Sequence, residues 1–439
     1  MPTRVLIVGG GGREHALAWK IAGEPGINEV VVAPGRAAMA HLDRVRVEPG
    51  VDGLDHASIV SLARRMAAEL GIVGPEAPLA TGLTDALRAA EVPVFGPTEA
   101  AARLESSKAF CHDVAAAAGV SMARARAFAA DEGDAATDFA AELHASGVGI
   151  VLKADGLAAG KGVIVADDLE HALGLIPSFL AGRPAGTSAL VIEECLIGQE
   201  ASIIAVCDGV RAVALPSARD HKRLCDGDRG PNTGGMGAYS PLPDVDDEMV
   251  ESVIETIHRP ILAEMARRGT PFQGFLYAGL MLTADGPVLL ETNVRLGDPE
   301  AQVILPLVAV PLGPLLLAAA NGRLPDASGS LLPAMPGASV GIVLASKGYP
   351  GDPQRGDAIS GLEAARSSGA LVFHAGTLER PAGGYGTNGG RVLTVVGRGP
   401  THEVARDVAE HAADAISWDG MQRRRDIAAD VPARVGALS

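Results

Sequence analysis

The stretch from Val5 to Ala18, VLIVGGGGREHALA, constrains the fold more than any other part of the chain. An apolar run of strand length enters four glycines and leaves as the helix-forming REHALAWKIAG. Strand, glycine turn and helix in that order leave free backbone N–H groups at a helix N-terminus, where an anion is favoured. The alternation continues to about residue 100 through EVVVAPG, GIVGPEAP and VPVFGPT. It predicts a parallel, doubly wound sheet with its binding crevice at the C-terminal ends of the strands.

The turn fails the dinucleotide fingerprint. GxGxxG or GxGxxA needs Gly or Ala three places after its second glycine, and counting from Gly9 or Gly10 finds Glu14 or His15. The acidic residue that would hold a ribose hydroxyl is also missing from VVVAPGR. A smaller phosphate is therefore expected at this turn. Arg13 reads as its cation or as an ordinary first-turn arginine. A dinucleotide-dependent oxidoreductase is the alternative from another class.

The chain has 439 residues, more than one ordinary core requires. The first domain is assigned to residues 1–103, where the texture changes. SKAFCHDVAAAAG reads as a helix, and GIVLKADGLAAGKGVIVAD as two strands joined by a glycine-rich tip. ALVIEECL and EASIIAVCDG are further strands, Asp246 to Arg268 is a long amphipathic segment, and FLYAGLMLT and PVLLETNV pair across an Ala-Asp-Gly turn. After the soft linker LPDASGSLLPAMPG, residues 329–439 read as a small mixed α/β domain. The apolar run Val303 to Ala320 is broken by Pro306, Pro311 and Pro314; it is expected to be buried rather than to span a membrane.

Charge and composition narrow the partners. The formal charge is -16, from 37 basic and 53 acidic side chains, the wrong sign for a phosphate-backbone binder. Aromatics at 3% leave little for a base-stacking platform, so no nucleic-acid partner is expected. Cys111, Cys195, Cys207 and Cys225 form no CxxC pair and read as reduced thiols of a cytoplasmic protein.

Three motifs carry chemistry. GLAAGKG, Gly156 to Gly162, looks like a Walker loop but has three residues, not four, between Gly156 and Gly160, and Gly162 where Ser or Thr should hold the metal. A glycine tip between two strands can still fold over triphosphate oxygens, and Lys153 on the preceding strand would add a point charge. In LLETN, Glu291 and Asn293 share one face of a strand. Two oxygen ligands side by side suit Mg²⁺, which leaves its other positions to phosphate and water; the plainer reading is a solvated strand end. ARDHKRLCDGDRGPNTGGMG reads either as an anion-contacting loop or as exposed charge.

Together with FGPTEAAARLESSKAF, GPNTGGMGAYSP, ETNVRLGDPE, NGGRVL and RRRDIA, these stretches resemble the ATP-grasp ligases. They are most similar to the phosphoribosylamine–glycine ligase family of purine biosynthesis. The matches run in family order over essentially the whole chain. The resemblance implies an N-terminal pre-ATP-grasp domain, a central ATP-grasp domain (residues 104–328) with a mobile lid at about 121–192, and a C-terminal domain completing the site. It also implies ATP and Mg²⁺ or Mn²⁺, with glycine and 5-phosphoribosylamine as substrates, and a monomer, with a dimer as the alternative. Another carboxylate–amine ligase of the same superfamily stays open.

Carried over by position, Lys108 and Lys153 would contact ATP phosphates beneath the tip Gly160, Lys161 and Gly162. Glu193, Glu194 and Leu196 would line the adenine hinge and Glu200 the ribose. Glu291 and Asn293 would hold the metal, and Arg295 would bridge the transferring phosphoryl group. Gly10, Gly11, Gly12, Arg13, Asp220, Lys222, Thr233, Gly234 and Asp298 would meet the substrates. The chain departs from the family at PGRAA, where Arg36 and Ala38 replace Asn and Gly; this either reshapes the phosphoribosyl pocket or adds a cation to it. Leu296 replaces Phe, a change of packing shape, and Ala428 replaces Gly, a change expected to be tolerated. FLYAGLMLT carries no acid, so a carboxylate metal ligand from that strand is not available.

Overall fold

The computed structural model describes residues 1–157, 162–181, 188–325 and 330–431. Its first sheet is parallel and five-stranded. The opening strand Arg4–Gly9 lies between Glu29–Pro34 and Leu70–Val73, with Val45–Val47 and Val94–Phe95 at the edges. Leu6 and Val8 pack into one core with Leu62, Leu83 and Leu87, and Val5 and Ile7 into another with Leu17, Ile21 and Phe275. Both faces are covered, as a parallel sheet requires. Strand order reverses at the opening strand. The turns after Gly9 and Val73, which carry Arg13 and Glu76, therefore meet at the switch point where such sheets bind ligands.

The helix Lys108–Ala118 leads into a four-stranded antiparallel sheet in the order Ala125–Ala129, Ser188–Cys195, Gly149–Ala154, Val163–Ala166. The helices Gly133–Ala145 and Leu169–Leu180 cover it around a small core of its own, containing Phe128, Phe139, Leu143 and Ile192. A second antiparallel sheet, Ala212–Ala214, Gln199–Asp208, Gln273–Thr283 and Gly286–Asn293, forms the opposite wall of a cleft. The segment Asp246 to Arg268 is helical but not uniform. The α-helices Asp247–Val253 and Arg259–Arg267 flank a π-turn, Ile254–His258. There the buried His258 ring bonds the Val253 and Leu276 carbonyls.

The C-terminal sheet contains Ala338–Ala345, Arg391–Gly399 and Leu371–His374, and it also takes in Gly237–Ser240 and Arg219–Asp220 from the middle of the chain. Residues around the DHKR and GGMG motifs thus belong to a sheet that sequence order would not assign to them. The run Val303 to Ala320 folds as short buried helices. Among the described residues no helix is long and apolar enough to cross a membrane, and all four cysteines are free.

Candidate active site

The two antiparallel sheets, the switch point and the C-terminal sheet enclose a cavity of about 1320 Å³. Its nucleotide end is built by three elements. The strand Gly149–Ala154 turns Lys153 inward, where Nζ meets Glu193 Oε2 at 2.7 Å and the Leu290 carbonyl at 3.2 Å. Glu193, on the neighbouring strand, also takes Nε2 of His112 at 2.8 Å. Its carboxyl is low despite burial, because His112 and Lys153 favour the charged form. Lys108 stands at the head of its helix and donates to the Gly156 carbonyl at 3.0 Å. Burial first, and Lys153 nearby, lower its pKa. The two ammonium groups line the same end of the cavity.

Asp155 ties these parts together. Its carboxylate accepts the Lys108 and Ala109 amides, at 2.6 and 3.4 Å, and the Ser107 hydroxyl at 3.2 Å. The end of the strand Gly149–Ala154 is thereby fastened to a helix N-terminus that favours negative charge. Gly160 and Lys161 lie outside the described residues; Gly162, Glu194, Leu196 and Glu200 line the cavity. Glu194 accepts the Arg124 amide, and Glu200 pairs with Lys222 at 2.6 Å. A residue assigned to the ribose and one assigned to the substrates are therefore salt-bridged to each other.

Glu291 and Asn293 project together from the strand Gly286–Asn293, with Asn293 Nδ2 3.4 Å from Glu291 Oε1. Thr292, on the other face, is buried against Cys111 and the Leu104 carbonyl. Enclosure works against the charge of Glu291, but Lys222 and Lys153 hold its carboxyl below the usual range. Across the ladder stands Gly279, which brings no second acid. Among the described residues no cluster of three or more His, Cys, Asp or Glu could hold a metal. The Glu291 carboxylate, facing a cavity with lysines at its rim, nonetheless fits a hard cation whose remaining positions go to phosphate and water, and Asn293 would add its amide oxygen by releasing Arg295.

Arg295 follows on the same chain. It donates to Glu105 Oε1 at 2.8 Å, Asn293 Oδ1 at 3.2 Å and the Leu296 carbonyl at 3.1 Å. Burial opposes its charge; Glu105 and Glu76 outweigh that and raise its pKa.

At the substrate end, Arg13, Asp220, Lys222, Thr233, Gly234 and Asp298 all line the cavity, whereas Gly10, Gly11 and Gly12 are not among its lining residues. The helix N-terminus after the glycine turn already meets carboxylates. Gly11 N–H donates to Glu14 at 2.6 Å and Arg13 N–H reaches Asp298 Oδ2 at 3.4 Å. Arg36 donates through Nε to the Gly10 and Ala375 carbonyls, so it ties the turn to the C-terminal domain and is not a lining cation of this cavity. Burial drives the Asp220 carboxyl up to about 8 against the pull of Lys222. Thr233 Oγ1 donates to the Lys222 carbonyl and accepts the Gly235 amide.

Among the lining side chains that sequence reasoning missed are Glu76, Glu105, His112 and Arg391. Arg391 bridges the Gly234 and Asp298 carbonyls and pairs with the Asp298 carboxylate at 3.5 Å. The only signal for it was a charge directly after two glycines in NGGR.

This cleft between two antiparallel sheets, with two lysines at one end and a Glu–Asn pair at its floor, defines an ATP-grasp enzyme. The chain matches the phosphoribosylglycinamide synthetase N domain over residues 3–105, its ATP-grasp domain over 106–301 and its C domain over 339–430. It is 46% identical over 430 residues to a phosphoribosylamine–glycine ligase of Streptomyces coelicolor, covering 97% of this chain and 99% of that one. It is also 46% identical over 427 residues to the enzyme of that name from Vibrio parahaemolyticus, covering 97% of each. The crystal structure of the Thermotoga maritima phosphoribosylamine–glycine ligase superposes with a TM-score of 0.77 at 33% identity, covering 97% of this chain and all of that one. Biotin carboxylase from Campylobacter jejuni, 16% identical with a TM-score of 0.69, shares the fold. The chain belongs to the phosphoribosylglycinamide synthetase family.

Proposed function

We propose that this chain joins glycine to 5-phosphoribosylamine at the expense of ATP, giving glycinamide ribonucleotide, ADP and phosphate, within purine biosynthesis in the cytoplasm. The observation that carries this reading is the continuity of one cavity from Lys108 and Lys153, past Glu291, Asn293 and Arg295, to Asp298 and Arg391. A nucleotide end and an acid–amine end share a single floor.

A carboxylate resists attack by an amine, so the reaction runs in two steps. A glycine carboxylate oxygen attacks the γ-phosphorus and ADP leaves, forming glycyl phosphate. The amine nitrogen then attacks the carbonyl carbon, phosphate departs, and the nitrogen gives up a proton. Phosphoryl transfer depends mainly on positioning and charge neutralisation. Lys108 and Lys153 orient the triphosphate, and Arg295 meets the equatorial oxygens. Glu291 and Asn293 would hold Mg²⁺, which when bound neutralises phosphoryl charge. Arg13, Asp298 and Arg391 orient the phosphoribosyl substrate, the Gly10 to Gly12 turn behind Arg13 holding that arginine in place rather than lining the cavity, and Asp220, Lys222, Thr233 and Gly234 line the place of the smaller acid. The lid excludes water from the acyl phosphate. The reading assigns a monomer, with a dimer as the alternative.

The test is ADP release with Mg²⁺, ATP, glycine and freshly generated phosphoribosylamine, omitting each in turn. Release that needs both substrates supports the ligase. A folded protein that releases no ADP from the complete mixture would overturn the reaction while leaving the ATP-grasp fold intact.

A further inference from the structure

Two arginines at the switch point are fastened to the same two acceptors. The Leu296 carbonyl takes Nη1 of Arg13 at 3.0 Å and Nη1 of Arg295 at 3.1 Å. Oε2 of Glu76 lies 4.0 Å from Nη2 of Arg13 and 3.5 Å from Nε of Arg295. Glu14 closes one end of the row on Arg13 Nε at 2.6 Å, and Glu105 the other on Arg295 Nη2 at 2.8 Å. The charges alternate: Glu14, Arg13, Glu76, Arg295, Glu105. Two guanidinium groups so close together repel unless a carboxylate lies between them, and Glu76 is that carboxylate. Burial opposes its charge, yet Arg295 and Arg13 hold it below the ordinary range.

The Glu76 contacts are the loosest in the row. Nε of Arg295 is buried without a hydrogen bond among the described residues, so charge alone sets its 3.5 Å approach to Glu76. Glu76 also comes from a different domain than Arg295, at the start of the short helix Glu76–Ala80 after the fourth strand. An anion arriving at Arg13 competes with Glu76 for that guanidinium and releases the carboxylate to Arg295.

We propose that Glu76 is a positioning residue that couples the two ends of the site, so that a phosphoribosyl group at Arg13 draws the Glu76 carboxylate onto Arg295 and sets it for phosphoryl transfer. The proposal rests on the assignment of Arg13 to the phosphoribosyl substrate and of Arg295 to the phosphoryl group. It makes phosphoryl transfer responsive to the second substrate, which limits loss of glycyl phosphate to water.

Coupling between sites is reciprocal, which gives a test free of turnover. Calorimetric titration would measure the affinity for magnesium and a non-hydrolysable ATP analogue, with and without ribose 5-phosphate, in the full chain and in Glu76→Gln and Glu76→Asp. In the unmodified protein ribose 5-phosphate is expected to shift nucleotide affinity by about fivefold or more, and the reverse titration to show the same factor. Glu76→Gln should bring the factor close to one, whatever it does to nucleotide affinity measured alone. Glu76→Asp, which keeps the charge on a shorter arm, should fall between. No shift in the unmodified protein, or an undiminished shift in both variants, overturns the proposal. Should Glu76→Gln fail to fold, the unmodified protein and Glu76→Asp still decide it. A chain that shows the linkage but releases no ADP from the complete mixture would overturn the reaction and leave the coupling standing.

Discussion

At the scale of single residues, Arg295 and Ala428 lead to opposite predictions. Arg295 is held by Glu105, Asn293 and the Leu296 carbonyl on the path between Glu291 and Asp298. Arg295→Ala should lower kcat by about 10²–10³, the usual cost of one transition-state donor, with little change in KM for ATP; steady-state kinetics with normal turnover would remove it from the mechanism. Ala428 stands where the resemblance places Gly, and its φ of 56° is in the left-handed region. A Cβ there costs roughly 1 kcal/mol, so the residue is accommodated under strain at the edge of the cleft. Ala428→Gly should raise the unfolding free energy from urea titration by about that much, and an unchanged or lower value would mean that the surrounding packing repays the strain.

At the scale of elements, one side chain ties the sheet containing Lys153 to the helix that begins at Lys108. Asp155 joins the strand Gly149–Ala154 to the first turn of the helix Lys108–Ala118, and so holds Lys153 and Lys108 at the same end of the cavity. Asp155→Ala leaves two amides without their acceptor. It should cost about 1 kcal/mol of stability, as loss of a helix cap does, and raise KM for ATP more than it lowers kcat. Asp155→Asn keeps an acceptor oxygen and should recover most of the stability. Equal KM values for ATP in all three proteins would reduce Asp155 to a purely local cap.

At the scale of the whole molecule, the first and last domains meet through histidines that must stay neutral. His15, in the opening helix, accepts the backbone N–H of His374 through Nδ1 at 2.9 Å. Arg366 can only donate, so Nε2 of His374 accepts from it, and the ring proton lies on Nδ1 toward Thr377. Burial lowers the pKa of His15 from 6.5 to about 4, and it lowers that of His374 as well. The unfolded chain therefore binds more protons than the folded one between these limits, and stability rises with pH there. The contribution of this junction is complete above about pH 6.5 and is lost as pH falls toward about 4. Urea unfolding across that window should show a shallower dependence in His15→Asn, which keeps an acceptor but cannot titrate. Identical slopes would assign the acid sensitivity to other groups.

Local pattern alone determined the strands, the glycine turn, the paired Glu291 and Asn293, and the broken apolar run from Val303 to Ala320. Strand alternation, helix periodicity and proline interruption act over a few residues and are written in consecutive letters. The resemblance added the order of the three domains and some of the residues that line the cleft. Neither could show that Arg219–Asp220 and Gly237–Ser240 join the C-terminal sheet, because strand pairing across a hundred residues follows from tertiary packing. Nor could they show that Arg36 serves the Gly10 and Ala375 carbonyls, or that Glu200 pairs with Lys222 and Arg391 with Asp298. A charged side chain carries the same letter whether it faces ligand or protein. Only the fold, by bringing distant carboxylates and guanidinium groups within reach of one another and away from water, decides which charges are matched internally and which are kept for substrate.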